Sequence, residues 1–177
     1  MDPAADLAAR LAGVTFAGLS TDQVTLRLID EIAAWGEGHG WRVYRRAPSV
    51  LPLPPPLDRQ HSVLDVACAR PDGPPLAIEV DHTDRRRTVD KLVAEAAAGR
   101  VPIWVRWGAG RFTPPPDPVR MVPVEVARAG GRHTRGPARP APRHGAGVGP
   151  ADTPSMFDQV LPEYDAVAEP ATPQEDQ

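Results

Sequence analysis

The sequence predicts an α/β domain followed by a disordered C-terminal tail, on three observations. Apolar residues recur at helical spacing around residues 21–35 and 84–98 and alternate at strand spacing between and after them. A Pro71-Asp72-Gly73 turn separates two alternating runs and predicts a hairpin. Beyond residue 128 the periodicity stops, and 23 prolines and 15 glycines among 177 residues are too many for a fully packed chain. Residues 1–128 are therefore expected to form the domain, and 129–177 a disordered Arg/Gly/Pro-rich linker and acidic tail.

Asp2-Pro3 opens a short first helix, with Asp2 as its N-cap and Gly13 ending it. Ser20-Thr21-Asp22-Gln23 reads as a capping box for a second helix, which the spacing carries to about Trp35 before Gly36 and Gly38. Val24, Leu28, Ile32 and Trp35 form its apolar stripe. Glu31 falls inside that stripe, about −20° from Val24 at about 100° per residue. Burying a carboxylate is costly, so Glu31 either reaches Arg27 at i−4 or points at an acidic patch on the sheet. Trp41 to Arg46 reads as a strand, and Pro48 to Asp58 as a proline-rich loop at the sheet rim.

In the hairpin, Leu64, Val66 and Cys68 oppose Val63, Asp65 and Ala67, while Leu76, Ile78 and Val80 oppose Ala77, Glu79 and Asp81. Asp84 to Ala98 reads as a helix with Val89, Leu92, Val93 and Ala96 on its apolar side. Lys91 lies at the border of that side, beside Glu95 at i+4. Val101 to Trp107 is then a parallel strand reached by a right-handed crossover, and Val119 to Val126 a short edge strand.

Residues 1–128 carry equal numbers of acidic and basic side chains, so net charge gives no argument for nucleic acid. The linker is basic, and residues 151–177 carry seven acids and no base. Cys68 is the only cysteine, which excludes an intramolecular disulfide or a cysteine-based zinc site, and its position predicts a buried thiol. No apolar run has the length of a membrane span and no signal-peptide pattern opens the chain, so a cytoplasmic protein is expected. Lys91 is the sole lysine beside nineteen arginines, which singles it out as a compact, tunable charge.

The hairpin places Asp65, Glu79 and Asp81 on one sheet face. Three carboxylates in one patch repel each other, and a hard divalent cation such as Mg2+ or Mn2+ resolves that conflict. Asp81 also has a plain reading as a strand-end residue that caps the next helix. Arg42, Tyr44 and Arg46 interleave basic and aromatic side chains, a pattern that can hold phosphates and stack bases, though an ordinary half-exposed strand looks the same. Arg85, Arg86 and Arg87 crowd a helix N-terminus, where the dipole disfavours cations and an anionic ligand would relieve them. In the tail, Met156 to Tyr164 gathers four large apolar residues, the pattern of a short docking peptide for a protein partner.

A helix bearing Glu31, Asp65 on one strand, Glu79-Val80-Asp81 on the next, then a helix and a strand: over residues 20–107 this order resembles the restriction-endonuclease-like superfamily of PD-(D/E)XK nucleases. The resemblance implies an α-β-β-β-α-β core of mixed sheet flanked by helices, and metal-dependent hydrolysis of nucleic acid, DNA being the expected substrate. It implies that Asp65, Glu79 and the Val80 carbonyl hold the metal and that Glu31 supports it. Leu64 replaces the motif's proline. Asp81 stands where the motif has lysine, and Lys91 on the following helix is placed to take over that charge. Asp81 would then bind a second metal or orient water, or mark an inactive module that binds nucleic acid or protein. Many relatives are dimers that cut two strands, so a homodimer is a further expectation by analogy.

Overall fold

The computed structural model describes residues 2–129 and 132–134. Ten elements follow in order: α1 (Pro3–Ala12), α2 (Thr21–Gly38), β1 (Arg42–Pro52), β2 (His61–Ala69), β3 (Leu76–Asp81), α3 (Arg86–Ala97), β4 (Val101–Gly108), β5 (Arg120–Glu125), β6 (Ala127–Ala129) and β7 (Arg132–Thr134). The fold is α/β, a five-stranded mixed sheet in the order β1-β2-β3-β4-β5 with helices on both faces. β1, β2 and β3 pair antiparallel, whereas β3, β4 and β5 run parallel.

Local chemistry sets the helix starts. The Asp2 carboxylate accepts from the Ala4 N–H, and Ser20 and Gln23 complete a reciprocal capping box. α2 runs on through Gly36 and ends at Gly38. Gly36 lies inside the helix because the chain approaches the sheet there: a Cβ would come within 2.8 Å of Val43 Cγ2 and 3.1 Å of Cys68 Sγ. The turn falls instead at Gly40, with φ +74°.

α1 and α2 cover one sheet face with a continuous apolar core. Leu7, Leu11 and Phe16 meet Val24, Leu28 and Ile32, then Val66, Ile78, Ile103 and Val105, all buried. Cys68 is fully buried in this layer, and burial raises its thiol to about 11, so it packs as a small apolar group.

Two expectations about irregular segments are corrected. β1 continues through Pro48 to Pro52, where a loop was expected. It is an edge strand, so a proline lacking an N–H interrupts no ladder on its open side. The domain also extends beyond residue 128: β7 pairs with β6, and His133 exchanges backbone hydrogen bonds with Gly18 and Leu19. Residues 135–177, with the proposed docking segment 156–164, lie outside the described residues. Among the described residues, no helix is long and apolar enough to cross a membrane.

Candidate active site

The site begins where two strands part. β2 and β3 pair only at Val66–Ile78, Ala67–Ala77 and Cys68–Leu76. Beyond that point the ladder opens, and side chains fill the fork. Asp65 Oδ2 accepts from the Val80 N–H at 2.8 Å. Lys91 Nζ reaches between the strands, donating to the Val63 carbonyl at 2.6 Å and to Glu79 Oε1 at 2.8 Å. A cleft of about 530 Å³ opens over this fork.

Each element contributes one wall or the floor. β2 and β3 supply Asp65, Glu79, Val80 and Asp81 at the base. α3 and its leading turn supply Arg85, Arg87, Thr88 and Lys91, and His82 lies beside them. α2, on the opposite sheet face, contributes Asp22, Thr25, Leu26 and Ile29 at helical spacing.

α3 lies on the sheet differently from the expected apolar side. Its buried residues are Thr88, Lys91, Leu92 and Glu95, while Val93 stays exposed. The buried polar groups are paired, which makes that orientation tolerable. Thr88 Oγ1 donates to Asp81 Oδ2 at 2.8 Å, and Lys91 pairs with Glu79 rather than Glu95. Glu95 instead accepts from Ser49 Oγ at 2.6 Å and from the Val50 N–H at 2.8 Å, and pairs with Arg100. Leu92 packs on Trp104 and Val119.

Burial dominates the electrostatics. It raises Glu79 to about 7, against the hydrogen bond and charge of Lys91, with Asp65 and Asp81 adding repulsion. Asp65 is also raised, first by burial; the Val80 N–H opposes, Asp81 reinforces, and Lys91 and Arg46 oppose again. Both carboxylates thus sit in a field that a cation would relieve.

Of the two readings of Glu31, the structure shows the pairing with Arg27, and the metal-support role that the resemblance implies is corrected. Glu31 is largely buried within the α2 stripe, but that part of the stripe faces α1: it pairs with Arg27 at 2.9 Å and also with Arg10 at 2.7 Å, away from the cleft. The i−4 partner was readable, and Arg10 on the neighbouring helix was not. α2 reaches the cleft through Asp22 instead, a residue the capping box had absorbed.

Of the arginine run, Arg85 and Arg87 line the cleft, with Arg87 Nη2 tied to the Pro52 carbonyl at 3.0 Å. Arg86 points into solvent near Asp90. Arg42 and Tyr44 pair with Ala69 and Ala67, which places them on the carboxylate-bearing face, and the Arg46 charge acts on Asp65. None of them lines the cleft; Tyr44 and Arg46 border a separate groove of about 370 Å³.

Among the described residues, no group of three His, Cys, Asp or Glu side chains has the arrangement of a metal cage. Magnesium needs no cage, since one or two carboxylates with water and substrate phosphate complete its shell. Asp65 and Glu79 each spend one carboxylate oxygen on the Val80 N–H and Lys91 respectively, and neither second oxygen bonds to another described residue. That donor pair fits a hard, water-rich cation and does not fit zinc. Asp81 is committed elsewhere: its Oδ2 accepts from Thr88 and from Trp104 Nε1 at 3.2 Å, and Arg85 approaches its Oδ1 at 3.8 Å. The chain matches no protein-family model, no curated protein and no solved structure.

Proposed function

We propose that the cleft is the active site of a Mg2+- or Mn2+-dependent nuclease of the restriction-endonuclease-like type, hydrolysing DNA phosphodiester bonds. The observation that carries this reading is the strand fork, where Asp65 and Glu79 lie on the cleft floor and Lys91 is bonded to Glu79. Asp65 and Glu79, with the Val80 carbonyl, hold the cation. When bound, it supplies an activated water and neutralises charge on the phosphate. Lys91 directs a fixed positive charge at the phosphate oxygens as charge builds there, in the role the motif gives to the residue replaced by Asp81. Arg85 and Arg87 orient flanking phosphates. Asp81 positions α3, and with it Lys91, through Thr88.

The test is cleavage of plasmid and oligonucleotide DNA by the full chain in Mg2+ or Mn2+, beside Asp65→Asn and Glu79→Gln. Both variants keep the hydrogen-bonding shape of the fork. The expected result is cation-dependent cleavage that falls at least about 100-fold in each, with thermal unfolding unchanged for Asp65→Asn. Cleavage surviving both substitutions contradicts the assignment. A second reading, an inactive endonuclease-like module that binds nucleic acid or a protein partner, is favoured by Asp81 at the motif's lysine position. DNA binding without cleavage under any divalent cation selects it.

A further inference from the structure

The walls of the cleft differ in kind. On the α3 side stand Arg85, whose side chain is 63% exposed, and Arg87. On the α2 and β2 side stand Leu26, Ile29 and Val63, with Leu26 57% and Val63 40% exposed, interspersed with Asp22, Thr25 and Ser62. Among the described residues, Leu26 and Val63 belong to the few large apolar side chains left open to solvent, and both face this one cleft. Such an apolar wall opposite arginines needs a ligand with an apolar face and an anionic edge.

We infer that the cleft takes DNA as an unpaired strand, with a base against Leu26, Ile29 and Val63 and the adjoining phosphates on Arg85 and Arg87. This rests on the nuclease reading above and adds the form of the substrate. Two features favour an unpaired strand over a duplex. A duplex stacks its bases away and presents sugar and phosphate to a wall, so aliphatic side chains there gain little. A cleft of about 530 Å³ has the capacity of a small-ligand site, suited to a nucleotide or two and not to a helix laid across it.

The experiment compares cleavage of one labelled sequence as a single strand, a duplex with an unpaired overhang, and a blunt duplex, by wild type and by Leu26→Ser/Val63→Thr. Both sites are exposed, so thermal unfolding checks that the variant stays folded. Wild type is expected to prefer unpaired DNA by about tenfold in kcat/KM, the effect of burying one base face on aliphatic side chains. The variant is expected to lose that preference. Equal cleavage of all three forms, or a preference that survives the double substitution, overturns the inference and leaves the nuclease reading standing. If no DNA is cut, the nuclease reading fails, and fluorescence anisotropy decides the inference separately. Tighter binding of the single strand, lost in the variant, upholds the apolar wall; equal binding or none overturns it.

Discussion

The two faces of the sheet are built on different principles. The face under α1 and α2 is dominated by one continuous apolar layer of Leu, Ile, Val and aromatic side chains. The face under α3 has a small apolar cluster around Leu92 and Trp104, and beside it a row of buried polar pairs: Thr88 with Asp81, Lys91 with Glu79, Glu95 with Ser49 and Arg100. Apolar burial is non-directional and stabilises in proportion to area. Buried ion pairs barely repay their desolvation but demand one geometry. The first face therefore holds the fold together, and the second fixes where charged groups stand.

Substitutions separate these roles. Lys91→Met leaves Glu79 buried without its cation, and a loss of about 3–5 kcal/mol is expected from urea unfolding. The double variant Glu79→Leu/Lys91→Met is expected to recover most of that loss while binding no cation. A single variant as stable as wild type would mean that the pair is not a buried one. On the other face, Leu28→Ala is expected to cost about 2–5 kcal/mol and to leave cation affinity unchanged in the folded protein. An altered affinity would show the faces to be coupled.

A smaller effect comes from pH. With Glu79 raised to about 7 from its ordinary 4.5, the folded state keeps a proton that the unfolded chain has lost between those values. Its favourable contribution is complete below 4.5 and is lost as pH rises through 7, so stability declines across that window by no more than about 1.4 kcal/mol per pH unit. Glu79→Gln should flatten that part of the profile measured by urea unfolding; an unchanged slope assigns it to another group. The smallest effect is expected at Glu31→Gln, which weakens a partly exposed pairing with Arg10 and Arg27 by about 1 kcal/mol or less. Cation binding should be untouched, and a loss of affinity there would return Glu31 to the site.

The same contrast explains what could be read from the sequence. On the apolar face, caps and periodicity located both helices, because burial there follows hydrophobicity. On the polar face, the strand alternation of Asp65, Glu79 and Asp81 was readable, but the rotation of α3 was not. Thr88, Lys91 and Glu95 are buried because each meets a partner outside the helix, Asp81, Glu79 and Ser49 respectively, and no helical moment contains that information. Pro48 and Pro52 concealed the second half of β1, since their tolerance depends on its being an edge strand. β7 was hidden because three residues carry no period; its place is set by backbone pairing with Ala127–Ala129 and with Leu19. Leu26 and Val63 each looked like one more apolar residue, and only the cleft between α2 and α3 joins them into a wall.

The proposed cation site needs Asp65 and Glu79 together at the strand fork. Titration calorimetry of the full chain with Mn2+, beside Asp65→Asn and Glu79→Gln and with a DNA oligonucleotide present to supply phosphate oxygens, reads that site itself. One site is expected that disappears in both variants and strengthens as pH rises through about 7, where protons cease to compete for Glu79. Binding that persists in both variants, or a folded wild type that takes up no cation beside DNA, contradicts it.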